Sequence, residues 1–287
     1  MDLLSREPWL FLSLCTFVGL LVGSFLNVVI HRLPLMLERQ WQRDCKELLS
    51  QSTEEPDDSK FNLITPRSRC PQCQVMVSAG DNIPVISWIW LRGKCRHCDT
   101  RISIQYPLFE IMCAAMTFAV AFNFSVSFEA IWAIAFTWAL IALSGIDLNT
   151  KLLPDDITLP LIWLGLACNM FGLITDLHSA VLGAMAGYLI LWLVYQAFRI
   201  TTGKEGMGYG DFKLLAAIGA WLGWQHLPMV ILLSSLIGAI VGITLIIVMG
   251  RDRNIPIPFG PYLAGAGWVS LIWGHQISEF YQGIIGA

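Results

Sequence analysis

Along this chain the apolar positions are gathered into blocks, not spaced at the period of a half-buried helix or strand. The blocks run at about 9–30, 107–124, 128–146, 157–175, 179–198, 212–226, 229–249 and 259–280. Most reach roughly 17 to 23 residues, the length that crosses about 30 Å of hydrocarbon at 1.5 Å per residue. The pattern predicts an all-α polytopic membrane protein with about eight transmembrane helices. The block at 212–226 is the weakest, being short and holding Gly219 and Gly223; a re-entrant piece there would leave seven spans. Connections at 123–127 and 225–228 are only a few residues long, which forces antiparallel neighbours.

Composition agrees with the blocks. The chain is 55% hydrophobic and 14% charged, whereas soluble domains run near a quarter charged. The first block is too long for the apolar region of a cleavable signal, lacks a small-residue cleavage site and is followed by His31 and Arg32, so it reads as a retained span. Of the 18 Lys and Arg residues, all but Arg6 follow spans one, three, five and seven. Basic residues in short loops stay on the cytoplasmic side. The N-terminus is therefore expected outside, in the periplasm, and the long loop inside. Three regions follow: a first helix (1–30), a cytosolic loop domain (31–106) and a seven-helix membrane domain (107–287). Within the loop, 35–51 is compatible with a surface helix, and the acidic stretch 52–60 with a flexible insertion. A net charge of −3 gives no sign of nucleic acid, and none is expected as a partner.

The loop carries Cys70-Pro-Gln-Cys73 and Cys95-Arg-His-Cys98. Two C-x-x-C knuckles bring four thiolates onto one ion, the pattern of a zinc-ribbon-like Zn²⁺ site. A cytosolic position disfavours the rival reading of disulfides. Four sulfurs would fill the coordination sphere, so the metal is expected to be structural, supplying folding free energy that so small a loop lacks. His97 reads as a surface residue; Cys15, Cys113 and Cys168 read as apolar fillers within spans, and Cys45 has no evident role.

Ionisable residues at span ends are costly and default to function. Asp147 lies at the cytoplasmic end of the third block, where a carboxylate opposes the helix dipole. Asp211, in Gly208-Tyr-Gly210-Asp211, opens the sixth block at the same face. The bland alternatives are a solvated loop residue for Asp147 and a helix N-cap for Asp211. Two carboxylates held within a few Å do not both ionise easily, so one keeps a proton while the other acts as a base. That chemistry is aspartyl proteolysis. Gly208 and Gly210 would permit close approach of an extended substrate, and Lys213 either stabilises the Asp211 charge or faces the membrane interface. Gly206-Met-Gly-Tyr-Gly matches neither standard phosphate-binding loop.

Taken in order, several segments resemble the type IV prepilin peptidases, a G-x-G-D family of aspartyl proteases. They are residues 23–34 (GSFLNVVIHRLP), 66–73 (PRSRCPQC), 83–88 (IPVISW), 91–98 (LRGKCRHC), 106–110 (YPLFE), Asp147 through Leu153-Pro-Asp155, 208–211 (GYGD) and 258–261 (PFGP). The resemblance spans nearly the whole chain. It implies an enzyme of the bacterial inner membrane that removes the leader of type IV prepilins or type II secretion pseudopilins at the cytoplasmic face. It also implies methylation of the new N-terminus with S-adenosylmethionine, with Asp147 and Asp211 carrying the cleavage. The residues themselves are silent on methyl transfer, since the loop is too small for a Rossmann domain. Glu110 is the candidate cofactor contact, with Asn27, Arg32, Arg92 and Lys94 behind it. Two rivals remain on sequence alone: a small transporter, which would move a solute and cut nothing, and an assembly scaffold, which would tolerate loss of both aspartates.

Overall fold

Each apolar block forms a helix in the computed structural model, which describes residues 7–49, 61–78, 80–250 and 257–285. The helices are α1 (Pro8–Leu48), α2 (Ile86–Trp90), α3 (Gln105–Phe124), α4 (Phe128–Thr150), α5 (Asp155–Asn169), α6 (Leu177–Thr202), α7 (Tyr209–Leu222), α8 (Leu227–Met249) and α9 (Gly260–Ile285). Among the described residues the only β pairing is two isolated bridges in the loop. Among the described residues five stretches are long and apolar enough to cross a membrane: α1, α3, α4, α6 and the segment 224–248 containing α8. The expected count of eight is thus not reached on length and hydropathy. α5 and α7 have only 15 and 14 residues, and α9 mixes Gly, Trp, His and Gln among its apolar positions.

The chain divides into two compact units, 1–122 and 123–287. The expected boundary at 106 therefore moves to the end of α3. The reason is local: Gly19 and Gly23 of α1 meet the backbone or side chains of Glu110, Cys113, Ala114 and Thr117 on α3, so α3 belongs with the first helix. The separate surface helix expected at 35–51 is also absent as such. α1 runs unbroken through Pro34, with the described part of that segment as its last turns. Pro34 removes one hydrogen bond, but the residues after it (LMLERQWQRDCKEL) are mostly strong helix formers and carry the helix on. Forty-one residues span about 60 Å, so roughly half of α1 extends beyond the hydrocarbon. The acidic stretch 52–60 lies outside the described residues.

In the second unit α7 is the central helix, with every residue from Asp211 to Leu222 except Lys213 buried. Bilayer lipid is as apolar as leucine, so close packing and interhelical hydrogen bonds must hold such a helix. Small residues make the approach possible. A Cβ on Gly183 of α6 would strike the Gly219 backbone of α7, and one on Gly187 would stand 2.6 Å from the Leu215 carbonyl oxygen. On the α5 side, the Trp221 indole donates to the Leu161 carbonyl at 2.8 Å, and the Asn169 amide donates to the carbonyls of Ala220 and Trp221. Gly219→Val is expected to force α6 and α7 apart and cost about 1–3 kcal/mol, seen as a lower unfolding midpoint in detergent. Large apolar side chains such as Leu232, Ile243 and Ile247 of α8 stand exposed, as a lipid-facing surface requires.

Candidate active site

Asp147 sits in the last turn of α4, which ends at Lys151 in a left-handed cap. The residue is 5% exposed. The carboxylate that opposes the α4 dipole is met by a second helix end: the Gly260 N–H, at the start of α9, donates to Asp147 Oδ2 at 2.9 Å. A helix N-terminus is the favourable place for that carboxylate.

Asp211 lies in the first turn of α7 but does not cap it. The N-cap is Gly208, and no side chain caps the helix. Asp211 is 8% exposed, and its Oδ1 is buried without a hydrogen-bond partner. Such an orphaned oxygen costs about 1–3 kcal/mol or more, so N-capping does not account for the residue. The two aspartates interact electrostatically. Leu153 lies between their supports: a Cβ on Gly210 would stand 2.7 Å from Leu153 Cβ, and one on Gly260 would stand 3.1 Å from Leu153 Cδ2. A single leucine thus spans the glycine turn before Asp211 and the helix end holding Asp147.

Lys213 does not stand against Asp211. Its ammonium donates to both oxygens of Asp155 at 2.6 and 2.8 Å, so its charge is committed there and the expected support of Asp211 is not found. Sequence reasoning misses Gly260 as a site residue, although Pro258-Phe-Gly-Pro261 is visible as a segment. A Cβ at Gly260 would come 2.7 Å from Asp147 Oδ2. Gly260→Ala is therefore expected to displace that carboxylate and lower substrate cleavage, measured per folded enzyme, by about 10²-fold, with a stability cost of about 1–3 kcal/mol seen in thermal unfolding.

The four loop cysteines converge in the first unit. Their sulfurs all lie within 4.8 Å of one another, with Cys70–Cys98 at 3.6 Å and Cys73–Cys95 at 4.0 Å. A tetrahedral zinc with Zn–S of about 2.3 Å needs S···S near about 3.8 Å, so the set is compatible with structural zinc. The two knuckles are built alike. Cys70 N–H donates to the Val75 carbonyl and Cys95 N–H to that of Thr100. Gln74 and Asp99 occupy the same left-handed position, and the flanking bridges pair Arg69 with Met76 and Lys94 with Arg101. The Thr100 hydroxyl stands 3.1 Å from Cys98 Sγ, where it favours the thiolate a metal binds.

Glu110 is buried in α3, and its contacts are to the protein itself. Val85 N–H donates to Glu110 Oε2 at 2.7 Å, and the carboxylate is also hydrogen-bonded to Ser24 of α1. Val85 adopts φ 60°, ψ −50°, and Ile86 N–H reaches back to the Pro84 carbonyl, so a β-branched residue holds a γ-turn. Such a conformation costs on the order of 1–3 kcal/mol and persists only when its surroundings fix it; Glu110 is the group that fixes it. Asn27 and Arg32 likewise hold backbone: Asn27 donates to the Tyr106 carbonyl, and Arg32 to those of Asn62 and Pro66. Arg92 takes a left-handed turn conformation, and Lys94 forms one of the bridges.

Comparison with known proteins gives the same partition. Residues 17–124 match the bacterial peptidase A24 N-terminal domain, and residues 134–243 match the type IV leader peptidase family. The chain is 53% identical over 286 residues to a prepilin leader peptidase/N-methyltransferase of Aeromonas salmonicida, covering 99% of this chain and 98% of that one. It is 52% identical over 280 residues to the protein of that name from Stutzerimonas stutzeri, covering 98% and 96%. The Pseudomonas aeruginosa protein of that name is 48% identical over 286 residues, covering 100% and 98%. No solved structure matches the chain. With two family models covering most of its length and full-length relatives near half identity, the chain belongs to the type IV leader peptidase family.

Proposed function

We propose that this protein is a multi-pass inner-membrane enzyme that removes the leader of type IV prepilins, and of type II secretion pseudopilins, and methylates the new N-terminus. The observation that carries the proteolytic half is the arrangement of Asp147 and Asp211: two buried carboxylates whose glycine supports both pack on Leu153, one holding a helix-end N–H and one with an unpartnered oxygen. An N–H donor suits a carboxylate that stays charged and acts as the base. The Asp211 oxygen without a donor suits a carboxyl that carries its own proton. Asp147 then takes a proton from water as it attacks the scissile carbonyl, and Asp211 gives its proton to the substrate. The bias of basic residues toward one set of loops supports a cytoplasmic site and a periplasmic N-terminus.

A structural Zn²⁺ held by Cys70, Cys73, Cys95 and Cys98 would fix the loop. S-adenosylmethionine would supply a methyl group on an electrophilic sulfonium. In the first unit a hollow of about 320 Å³ is lined by Val28, Leu63, Arg67, Ser68 and Asn82 among others. Its guanidinium, hydroxyl and amide groups suit the donor's carboxylate and ribose hydroxyls, and its apolar wall suits the adenine. Glu110, already bonded to Val85 and Ser24, would act by holding the loop in shape.

The test is purified protein in detergent, given a prepilin peptide and S-adenosylmethionine and followed by mass spectrometry. Loss of the leader followed by one added methyl mass on the product is expected. Intact peptide after prolonged incubation, with solute flux in vesicles instead, would point to the transporter.

A further inference from the structure

The second unit contains a cavity of about 310 Å³ between α8 and the approach to α9. Met207, Ser235, Gly238, Ala239, Phe259 and Tyr262 line it, and no charged residue does among the described residues. Two of its walls adjoin the aspartates. Met207 precedes Gly208, the N-cap of the helix that bears Asp211. Phe259 precedes Gly260, whose N–H holds Asp147. The space exists because α8 presents small residues there: a Cβ on Gly238 would stand 3.3 Å from the Tyr262 ring and 3.8 Å from that of Phe259.

We propose that this cavity is a substrate subsite, which takes one large apolar side chain of the prepilin from the residues flanking the scissile bond and so fixes which bond lies between the two carboxylates. The proposal rests on the reading of Asp147 and Asp211 as the cleavage pair. Its lining selects the occupant. A charged side chain would lose hydration there with no partner, while two aromatic rings and a methionine match an aromatic or branched aliphatic group. Because both walls continue directly into the segments that hold the aspartates, an occupied cavity places the adjoining peptide bond next to the carboxylates.

The test is a scan in which each large apolar residue flanking the scissile bond is replaced singly by Ala. kcat/KM is measured for wild type, Gly238→Leu, which fills the cavity, and Phe259→Ala, which enlarges it. The readout is the ratio of large to Ala substrate within each variant, from which a loss of folded enzyme cancels. In wild type one position is expected to favour the large residue by about 10- to 200-fold. Gly238→Leu is expected to bring that ratio near one, and Phe259→Ala, which removes a wall of the cavity, to lower it. A wild type indifferent to every position, or a sensitive position with the same ratio in all three proteins, would overturn the subsite. Failure of the underlying reading looks different: Asp147→Asn would then cut every peptide in the scan as wild type does.

Discussion

Asp147→Asn and Asp211→Asn are each expected to lower prepilin cleavage by about 10³-fold or more, and the double variant by no more than either alone. The non-additivity is the informative part. One carboxylate activates water and the other protonates the substrate, so neither has a partner to work with once the other is lost. Asn preserves the volume of Asp, and its amide nitrogen can satisfy a buried acceptor, so folding should survive. In Asp147→Asn the new amide keeps an oxygen for the Gly260 N–H, which Asp147 accepts at 2.9 Å. Asp211, as the protonated member, is already neutral, so an amide of the same shape is expected to leave the protein about as stable. Single-turnover kinetics on the three variants, with thermal unfolding alongside, check both halves. Losses that multiply across the double variant would show that the residues act independently.

Cys73→Ser is expected to abolish metal binding and unfold the loop while leaving the membrane helices intact. Structural zinc contributes on the order of 10–16 kcal/mol to the folding of small domains at neutral pH. Without it the loop is tied mainly by a few side-chain bonds, such as those of Arg32 and Glu110 to its backbone. Among its described residues the β pairing is two isolated bridges, Cys70 is the one buried cysteine, and Ile64, Ile86, Ile89 and Trp90 stand largely exposed. Amides such as Cys70, Gln74, Cys95 and Asp99, now bonded within the knuckles, should lose their protection from exchange. Those of α7, the buried helix of the second unit, should keep theirs. Methylation should be lost with the loop, since the hollow proposed for the methyl donor takes Arg67, Ser68 and Asn82 from it. Hydrogen exchange and bound-zinc analysis on one preparation test this. A loop that stays protected without metal would contradict it.

The residues legible in the sequence are those whose signal is local. Four cysteines in two C-x-x-C pairs declare a metal site because each knuckle is closed by its own few residues, here the bonds from Cys70 to Val75 and from Cys95 to Thr100. Asp147 and Asp211 stand out because a carboxylate at the end of an apolar block is expensive wherever it lies. Contacts made across the fold leave no such mark. Gly260 meets Asp147 from 113 residues away, and only the structure reveals that a glycine there is a steric requirement. Lys213 illustrates the converse. Proximity in sequence points it at Asp211, whereas the bundle offers it Asp155, 58 residues distant. Glu110 is visible as an acid at a span end, but its partner, the Val85 turn, depends on how the loop folds back on α3. The count of eight spans is not confirmed for a related reason. Hydropathy sees α5 and α7 as apolar blocks, yet α7 is a 14-residue helix enclosed by its neighbours through Gly183 and Gly219, and α5 a 15-residue helix packed on α7 through Gly165 with Trp163 exposed.

The most direct test of the two-carboxylate mechanism is the affinity of a prepilin peptide whose scissile amide is replaced by a hydroxyethylene group, compared with its parent peptide. That group mimics the tetrahedral species that Asp147 and Asp211 would hold together, and a transition-state mimic gains affinity only where the site is built for it. Binding at least about 10²-fold tighter than the parent peptide is the predicted result, with the gain lost in both Asp147→Asn and Asp211→Asn. Equal affinity for mimic and parent, or a gain that survives both substitutions, would contradict the account.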